Sequence, residues 1–147
     1  MDAMNIESPA VHSYLNILQN VIGRMAADSS TCKTWCITIV SAIMVVVALA
    51  GRASSIWIGL IPIALFLFLD TYYLAMERLF RQRYDDFIKR VQNGTVQVGD
   101  TFVIKPFESH GHEFPPIAQT ASSLSIWPFY GMLVIMLPIT RYLVFSN

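Results

Sequence analysis

The sequence predicts an all-α integral membrane protein that carries one small β-hairpin, and three observations lead to this fold class. Two long apolar runs follow each other between Thr34 and Met76, and a third apolar stretch covers residues 124–145. Hydrophobic residues make up 54% of the chain and charged residues only 14%, with a mean hydropathy of +0.51. A chain of 147 residues cannot cover so much apolar surface with its own atoms, so the surplus is expected to face lipid.

The two central apolar runs predict a membrane hairpin over residues 32–76. The first run, residues 35–50, has no charged side chain and with its flanks approaches the ~20 residues that cross a bilayer. The second run begins at Ile56 and continues to Met76, with a single carboxylate at Asp70. Five residues, Gly51 to Ser55, form the tip between them.

An amphipathic helix is predicted in residues 1–31, ahead of the hairpin. Ser8 and Pro9 are typical of a helix start, and the stretch Asp28 to Thr31 is expected to end this helix and to cap a new one near Cys32. Its apolar stripe can lie on the lipid interface, pack on a neighbouring subunit or pack on later segments of the same chain. We expect self-association into a homo-oligomer, with contacts at Leu15, Leu18, Ile22 and Met25.

Residues 77–123 are predicted to lie outside the membrane. The second span continues as a helix to about Val91, where Asn93 and Gly94 are typical of a helix end. Residues 95–98 and 101–104 are predicted to be two short strands joined by a turn. The segment 105–123 has no periodicity and three prolines, so an irregular loop is expected.

The last apolar stretch, in residues 124–147, is predicted to be a third transmembrane helix. Pro128 and Pro138 weaken a helix, so a re-entrant or interfacial segment is the alternative. Basic residues cluster after the second span, which places the N-terminus and residues 77–123 in the cytoplasm by the positive-inside rule. These residues are Arg78, Arg81, Arg83, Lys89 and Arg90. Residues 1–9 carry Asp2 and Glu7 and no basic segment, so the first span is expected to remain as an anchor.

Asp70 is the strongest single candidate for function, because a carboxylate inside a lipid-embedded helix is costly and usually faces protein or water. At helical spacing it shares one face with Tyr73, Glu77 and Arg81. This stripe can line a pore or a subunit contact. Alternatively, Asp70 reaches the headgroup layer or pairs with a nearby base.

No pattern in the sequence predicts a catalytic site, a metal site or a cofactor, and no nucleic-acid partner is expected. Cys32 and Cys36 lie four residues apart, where buried inert thiols are favoured over acylation or metal binding. Residues 108–113 contain two histidines and two carboxylates, favouring a solvated loop over a metal site or a pH response. The chain is therefore not expected to be an enzyme.

The order of elements from residue 8 to residue 92, an amphipathic helix, a two-span hairpin and a charged helix leaving the membrane, resembles the SMODS- and SLOG-associating two-transmembrane effectors of bacterial phage defence. The resemblance implies an oligomeric effector that permeabilises the bacterial inner membrane when a cytosolic protein or a nucleotide signal arrives. The residues themselves leave two other functions open. These are an adaptor that tethers a cytosolic complex and a small transporter subunit.

Overall fold

The computed structural model describes residues 9–95, 120, 123 and 125–145. Within these residues the chain forms three long α-helices, α1 (Pro9–Ala50), α2 (Leu60–Gln92) and α3 (Trp127–Phe145), and a 3-10 helix at Ala53–Gly59. Each long helix contains a stretch that is long and apolar enough to cross a membrane. The structure therefore confirms an all-α architecture compatible with an integral membrane protein.

Helix α1 is continuous, so the predicted break at Asp28 to Thr31 is wrong. The hydroxyl groups of this stretch do not cap a new helix. Thr31 Oγ1 donates to the Ala27 carbonyl at 2.9 Å, one turn back along the same helix, and Thr34 Oγ1 donates to the Ser30 carbonyl at 3.2 Å. Such back-bonding lets serine and threonine remain inside a helix. The amphipathic segment and the first span therefore form a single helix of 42 residues.

The tip of the hairpin is a tight turn, as predicted. Gly51 has a φ of 65°, in the left-handed region that glycine adopts without strain. Its N–H donates to the Ala48 carbonyl at 3.3 Å. The chain then enters the 3-10 helix and reverses direction, so that α2 runs antiparallel to α1.

The predicted end of α2 is also confirmed. Gly94 has a φ of 67°, its N–H donates to the Val91 carbonyl at 3.1 Å, and the Thr95 N–H donates to the Arg90 carbonyl at 3.1 Å. These two hydrogen bonds form a Schellman motif. The predicted strands, apart from Thr95, and the histidine-containing stretch 108–113 lie outside the described residues.

The described chain has two packed regions, one at each end of the α1–α2 pair. The bundle consists of residues 29–74 and α3, and its core includes Cys36, Val40, Ile63 and Leu137. The stalk consists of residues 9–28 of α1 and 75–92 of α2. Its core is formed by Val11, Tyr14, Leu18, Phe80, Phe87 and Val91.

Helix α3 completes the bundle by packing against both other helices. The Tyr130 hydroxyl donates to the Phe66 carbonyl of α2 at 3.0 Å, and Thr140 Oγ1 lies 3.4 Å from the Met44 sulfur of α1. Pro138 lies within the helix without ending it. The third apolar stretch is thus a continuous helix of 19 residues.

Candidate functional site: a buried polar cluster shared by three helices

Asp70 is fully buried, with 0% exposure, and its carboxylate is bound by two side chains of α1. The Ser29 hydroxyl donates to Oδ1, and Lys33 Nζ lies 2.7 Å from Oδ2. Burial of an unpaired carboxylate would be very costly, whereas a charged partner and a hydroxyl donor offset much of that cost. The carboxylate therefore joins α1 to α2.

The geometry of α1 explains why these two side chains meet at one carboxylate. Ser29 and Lys33 are one turn apart and project from the same face of the helix. Lys33 Nζ also lies 3.2 Å from Ser29 Oγ. The Lys33 side chain keeps 22% of its surface exposed, because its long stem reaches the carboxylate from the edge of the bundle.

Helix α3 adds a third wall to this cluster through Tyr130, which is buried close to the Asp70 carboxylate. The thiol of Cys36 is also near this carboxylate. Cys32 and Cys36 are both free and buried. Asp70 thus lies at the point where the three helices converge.

Exposed aromatic residues occur at two levels of the bundle. Trp35, Tyr72 and Trp127 are exposed near the level of Asp70, while Trp57 and Tyr142 are exposed near the hairpin tip. Along α3, Trp127 and Tyr142 are separated by ~22 Å at 1.5 Å per residue, compared with a hydrocarbon core of ~30 Å. Because exposed aromatic side chains favour the two membrane interfaces, this pattern is compatible with the predicted alternative in which Asp70 lies at the headgroup layer.

The predicted polar stripe along α2 does not form one continuous surface. Asp70 and Glu77 are buried, Tyr73 is half-buried, and Arg81 is exposed. Arg81 Nη2 lies 2.7 Å from Glu77 Oε1. The structure brings Glu77 and Arg81 together as a pair, while Asp70 belongs to the separate cluster with Ser29 and Lys33.

The residues predicted to contact another subunit lie in or next to the stalk of the same chain. Leu18 is 1% exposed and belongs to the stalk core. Leu15 and Ile22 are partly buried against that core, and Met25 is half-buried. The structure thus follows one of the three alternatives for the apolar stripe of α1, packing against a later segment of the chain.

Two contacts of the site were missed by sequence reasoning. Lys33 was not recognised as the partner of Asp70, although it is the cation nearest the start of the first apolar run and lies at a matching depth in an antiparallel pair. The other contact joins α2 to the segment before α3, where Arg78 Nη2 donates to Ser123 Oγ at 2.8 Å. Residue spacing alone carries no signal for this second contact.

Among the described residues, no group of three or more histidine, cysteine, aspartate or glutamate side chains is placed to hold a metal ion. In comparisons with known proteins, no family model, no curated protein and no solved structure matches this chain. The fold and the polar cluster are therefore the observations from which a function is inferred.

Proposed function

We propose that this protein is a membrane adaptor, in which the bundle anchors the chain and the stalk presents a binding surface to a cytosolic partner. The observation that carries the proposal is the length of the two helices beyond the polar cluster. The 20 residues of α1 that precede Ser29 extend ~30 Å at 1.5 Å per residue. The end of α2 runs alongside them, so the chain holds a paired helical surface well away from the hydrocarbon.

The surface of the stalk supports this role because it is polar around a continuous apolar core. His12, Asn16, Asn20 and Arg24 of α1 are exposed, and Gln19 Nε2 donates to the Tyr84 hydroxyl of α2 at 2.9 Å. The rings of Tyr14 and Phe87 pack at 4.7 Å between centroids. A surface of this composition is compatible with water and with a soluble protein partner.

The environment of Asp70 favours an adaptor over a pore lined by this residue. A carboxylate ring in a cation pore requires each copy to present its charge to a shared aqueous axis. Here the carboxylate is fully buried within one chain and paired with Lys33. Its role in the proposal is to fix the junction between the bundle and the stalk.

Basic residues support a cytoplasmic stalk. Five basic side chains lie on the stalk part of α2, while Arg52 at the hairpin tip and Arg141 near the end of α3 lie toward the opposite interface. An excess of Lys and Arg is typical of cytoplasmic segments. The N-terminal end of α1 then shares the cytoplasmic side with the end of α2.

A permeabilising effector is the second candidate, and the exposed hydroxyl groups of α1 favour it. Thr34, Thr38 and Ser41 are exposed on one face of the first span. In a homo-oligomer this face can line a polar path through the membrane, as the resemblance to bacterial defence effectors of the inner membrane implies. The same hydroxyls are also compatible with lipid, since Thr38 Oγ1 donates to the Thr34 carbonyl at 2.9 Å.

Site-specific photocrosslinking in living cells tests the adaptor. A photoreactive residue is placed at the exposed stalk positions Asn20 and Gln82, and as a matched control at Leu65, which is 56% exposed on the bundle. We expect a discrete crosslink to the same soluble protein from both stalk positions and none from Leu65. Replacing Arg81 with Glu, which changes the exposed charge beside Gln82, should reduce the yield at Gln82.

Two results would overturn the adaptor proposal. One is crosslinking of the stalk only to a second copy of the chain or only to lipid. The other is growth arrest with dye leakage on expression, abolished by Thr38→Val and Ser41→Ala, which would support the permeabilising effector instead.

A further inference from the structure

An apolar groove runs along the outside of the bundle between α2 and α3. Its volume is about 510 Å³, and its lining is almost entirely apolar. The α2 wall includes Ile63 and Leu67, and the α3 wall includes Trp127, Tyr130, Gly131 and Ile135. Glycine at position 131 leaves the middle of the groove open, since a Cβ built there would meet nothing within 4 Å.

The length and apolar lining of the groove fit a hydrocarbon chain. Its lining extends from Ile126 to Ile135, or ~13 Å at the helical rise of 1.5 Å per residue. It lies on the parts of α2 and α3 that are long and apolar enough to cross a membrane, where lipid acyl chains are the surrounding medium. A lipid acyl chain is therefore the occupant that this position and lining favour.

The end of the groove nearest the stalk lies close to a basic side chain. Arg78 is eleven residues from Leu67 on α2, which at ~100° per residue leaves the two only ~20° apart around the helix. Arg78 is also held by Ser123, three residues before Ile126 at the end of the groove. This places its guanidinium beyond the apolar lining, on the side where Trp127 is 65% exposed and where interfacial tryptophan is expected.

We propose that this groove binds one anionic phospholipid, with an acyl chain between α2 and α3 and the phosphate near Arg78. Guanidinium groups recognise phosphate through paired N–H donors, and the other basic residues of the stalk add to the attraction for an anionic headgroup. The site is independent of the adaptor proposal, because it lies on the bundle and involves lipid alone. It gives the protein a preference for membranes or membrane regions rich in anionic lipid.

Tryptophan quenching by brominated lipids tests the site. The variant carrying Trp35→Phe and Trp57→Phe retains Trp127 as the remaining tryptophan of the chain. It is reconstituted in phosphatidylcholine vesicles that contain a minor fraction of either phosphatidylglycerol or phosphatidylcholine with brominated acyl chains. We expect brominated phosphatidylglycerol to occupy the site about fivefold more than brominated phosphatidylcholine, the ratio that corresponds to about 1 kcal/mol for one basic residue near the surface.

Four further variants separate the parts of the proposal. Gly131→Leu fills the groove and should reduce quenching by both lipids, whereas Gly23→Leu, a matched change at a stalk glycine that also has open space, should leave quenching unchanged. Arg78→Gln should remove the preference for phosphatidylglycerol, and Arg78→Lys should restore part of it.

The proposal fails if the two brominated lipids quench Trp127 equally, or if Gly131→Leu quenches like the parent variant. Quenching that falls as the protein-to-lipid ratio rises would show that a second copy of the chain occupies the groove, which would also overturn it.

Discussion

Helices α1 and α2 run through both the bundle and the stalk, but the two regions expose opposite kinds of side chain. On the bundle, large apolar side chains are exposed, for example Leu49 at 84% and Ile61 at 69%, while the charged Asp70 is buried. On the described stalk, Ile17 is the only exposed large apolar side chain, at 37%, and the charged residues lie mainly outside. Helix α1 thus changes from a lipid-adapted to a water-adapted surface within a few turns.

The two regions also differ in what holds them together. In the stalk, burial of apolar surface away from water supplies the driving force, at ~25 cal/mol per Å². In the bundle, lipid tails are as apolar as the side chains, so close packing and polar contacts between helices decide the structure. The Ser29–Lys33–Asp70 cluster and the Tyr130 contact serve this purpose where the two regions meet.

The largest expected effect on stability comes from removing one partner of the buried ion pair. Lys33→Met leaves the Asp70 carboxylate buried without its cation, and we expect a loss of about 3 kcal/mol in the free energy of unfolding, near the lower end of the range for broken buried pairs, because Lys33 is partly exposed. Equilibrium unfolding in mixed detergent and SDS micelles measures it.

The matched control is the double variant Lys33→Met with Asp70→Leu. It should recover most of the lost stability, because replacement of both charges by apolar groups is often neutral. A single variant as stable as the parent protein would show that the pair does not hold α1 to α2.

The second prediction concerns a substitution that destabilises the stalk and leaves the bundle intact. Phe87→Ala removes a fully buried ring that packs on Tyr14, and we expect a cost of about 2–3 kcal/mol, because two helices alone can close over part of the space that the ring leaves. The two-helix stalk has a single apolar core, so we expect its amides to exchange hydrogen much faster while those of residues 35–50 stay protected. Hydrogen exchange with mass spectrometry in detergent measures both regions at once.

Ile17→Ala is the control for Phe87→Ala, since Ile17 is 37% exposed and an exposed substitution usually changes stability by less than about 0.5 kcal/mol. If Phe87→Ala accelerated exchange equally in the bundle, the two regions would unfold as one unit and the comparison would not hold.

Local sequence signals predicted the turn between α1 and α2 and the end of α2. Gly51 at the tip and Gly94 after α2 each act through their own backbone preferences, so no tertiary information was needed. The length and composition of the apolar runs predicted three helices long and apolar enough to cross a membrane. The hairpin in residues 95–104 stays a prediction.

The wrong break in α1 and the unpredicted partner of Asp70 have one physical cause. In both cases tertiary contacts decide between alternatives that the local sequence leaves open. The hydroxyl-rich stretch at Asp28 to Thr31 is compatible with a cap or with a continuous helix, and packing of α1 against α2 on both sides of it selects the helix. The pairing of Asp70 with Lys33 depends on the register between the antiparallel helices. Neither residue spacing nor composition encodes that register directly.

The smallest expected changes in stability come from two glycine substitutions, one in each region. Gly23→Ala in the stalk adds a methyl group where nothing lies within 4 Å, and replacing glycine within a helix should raise the free energy of unfolding by about 0.5–1 kcal/mol. Gly59→Ala in the bundle places Cβ only 3.1 Å from Leu137 Cδ2, so crowding of α3 should offset the gain in backbone entropy and lower stability by up to about 1 kcal/mol. Unfolding of both variants in the same micelles measures the difference. Opposite signs are expected because the space around Gly23 is open while Leu137 of α3 packs directly on Gly59. A gain in stability at both sites would show that the contact between Gly59 and Leu137 is loose and that close packing does not hold α3 in place.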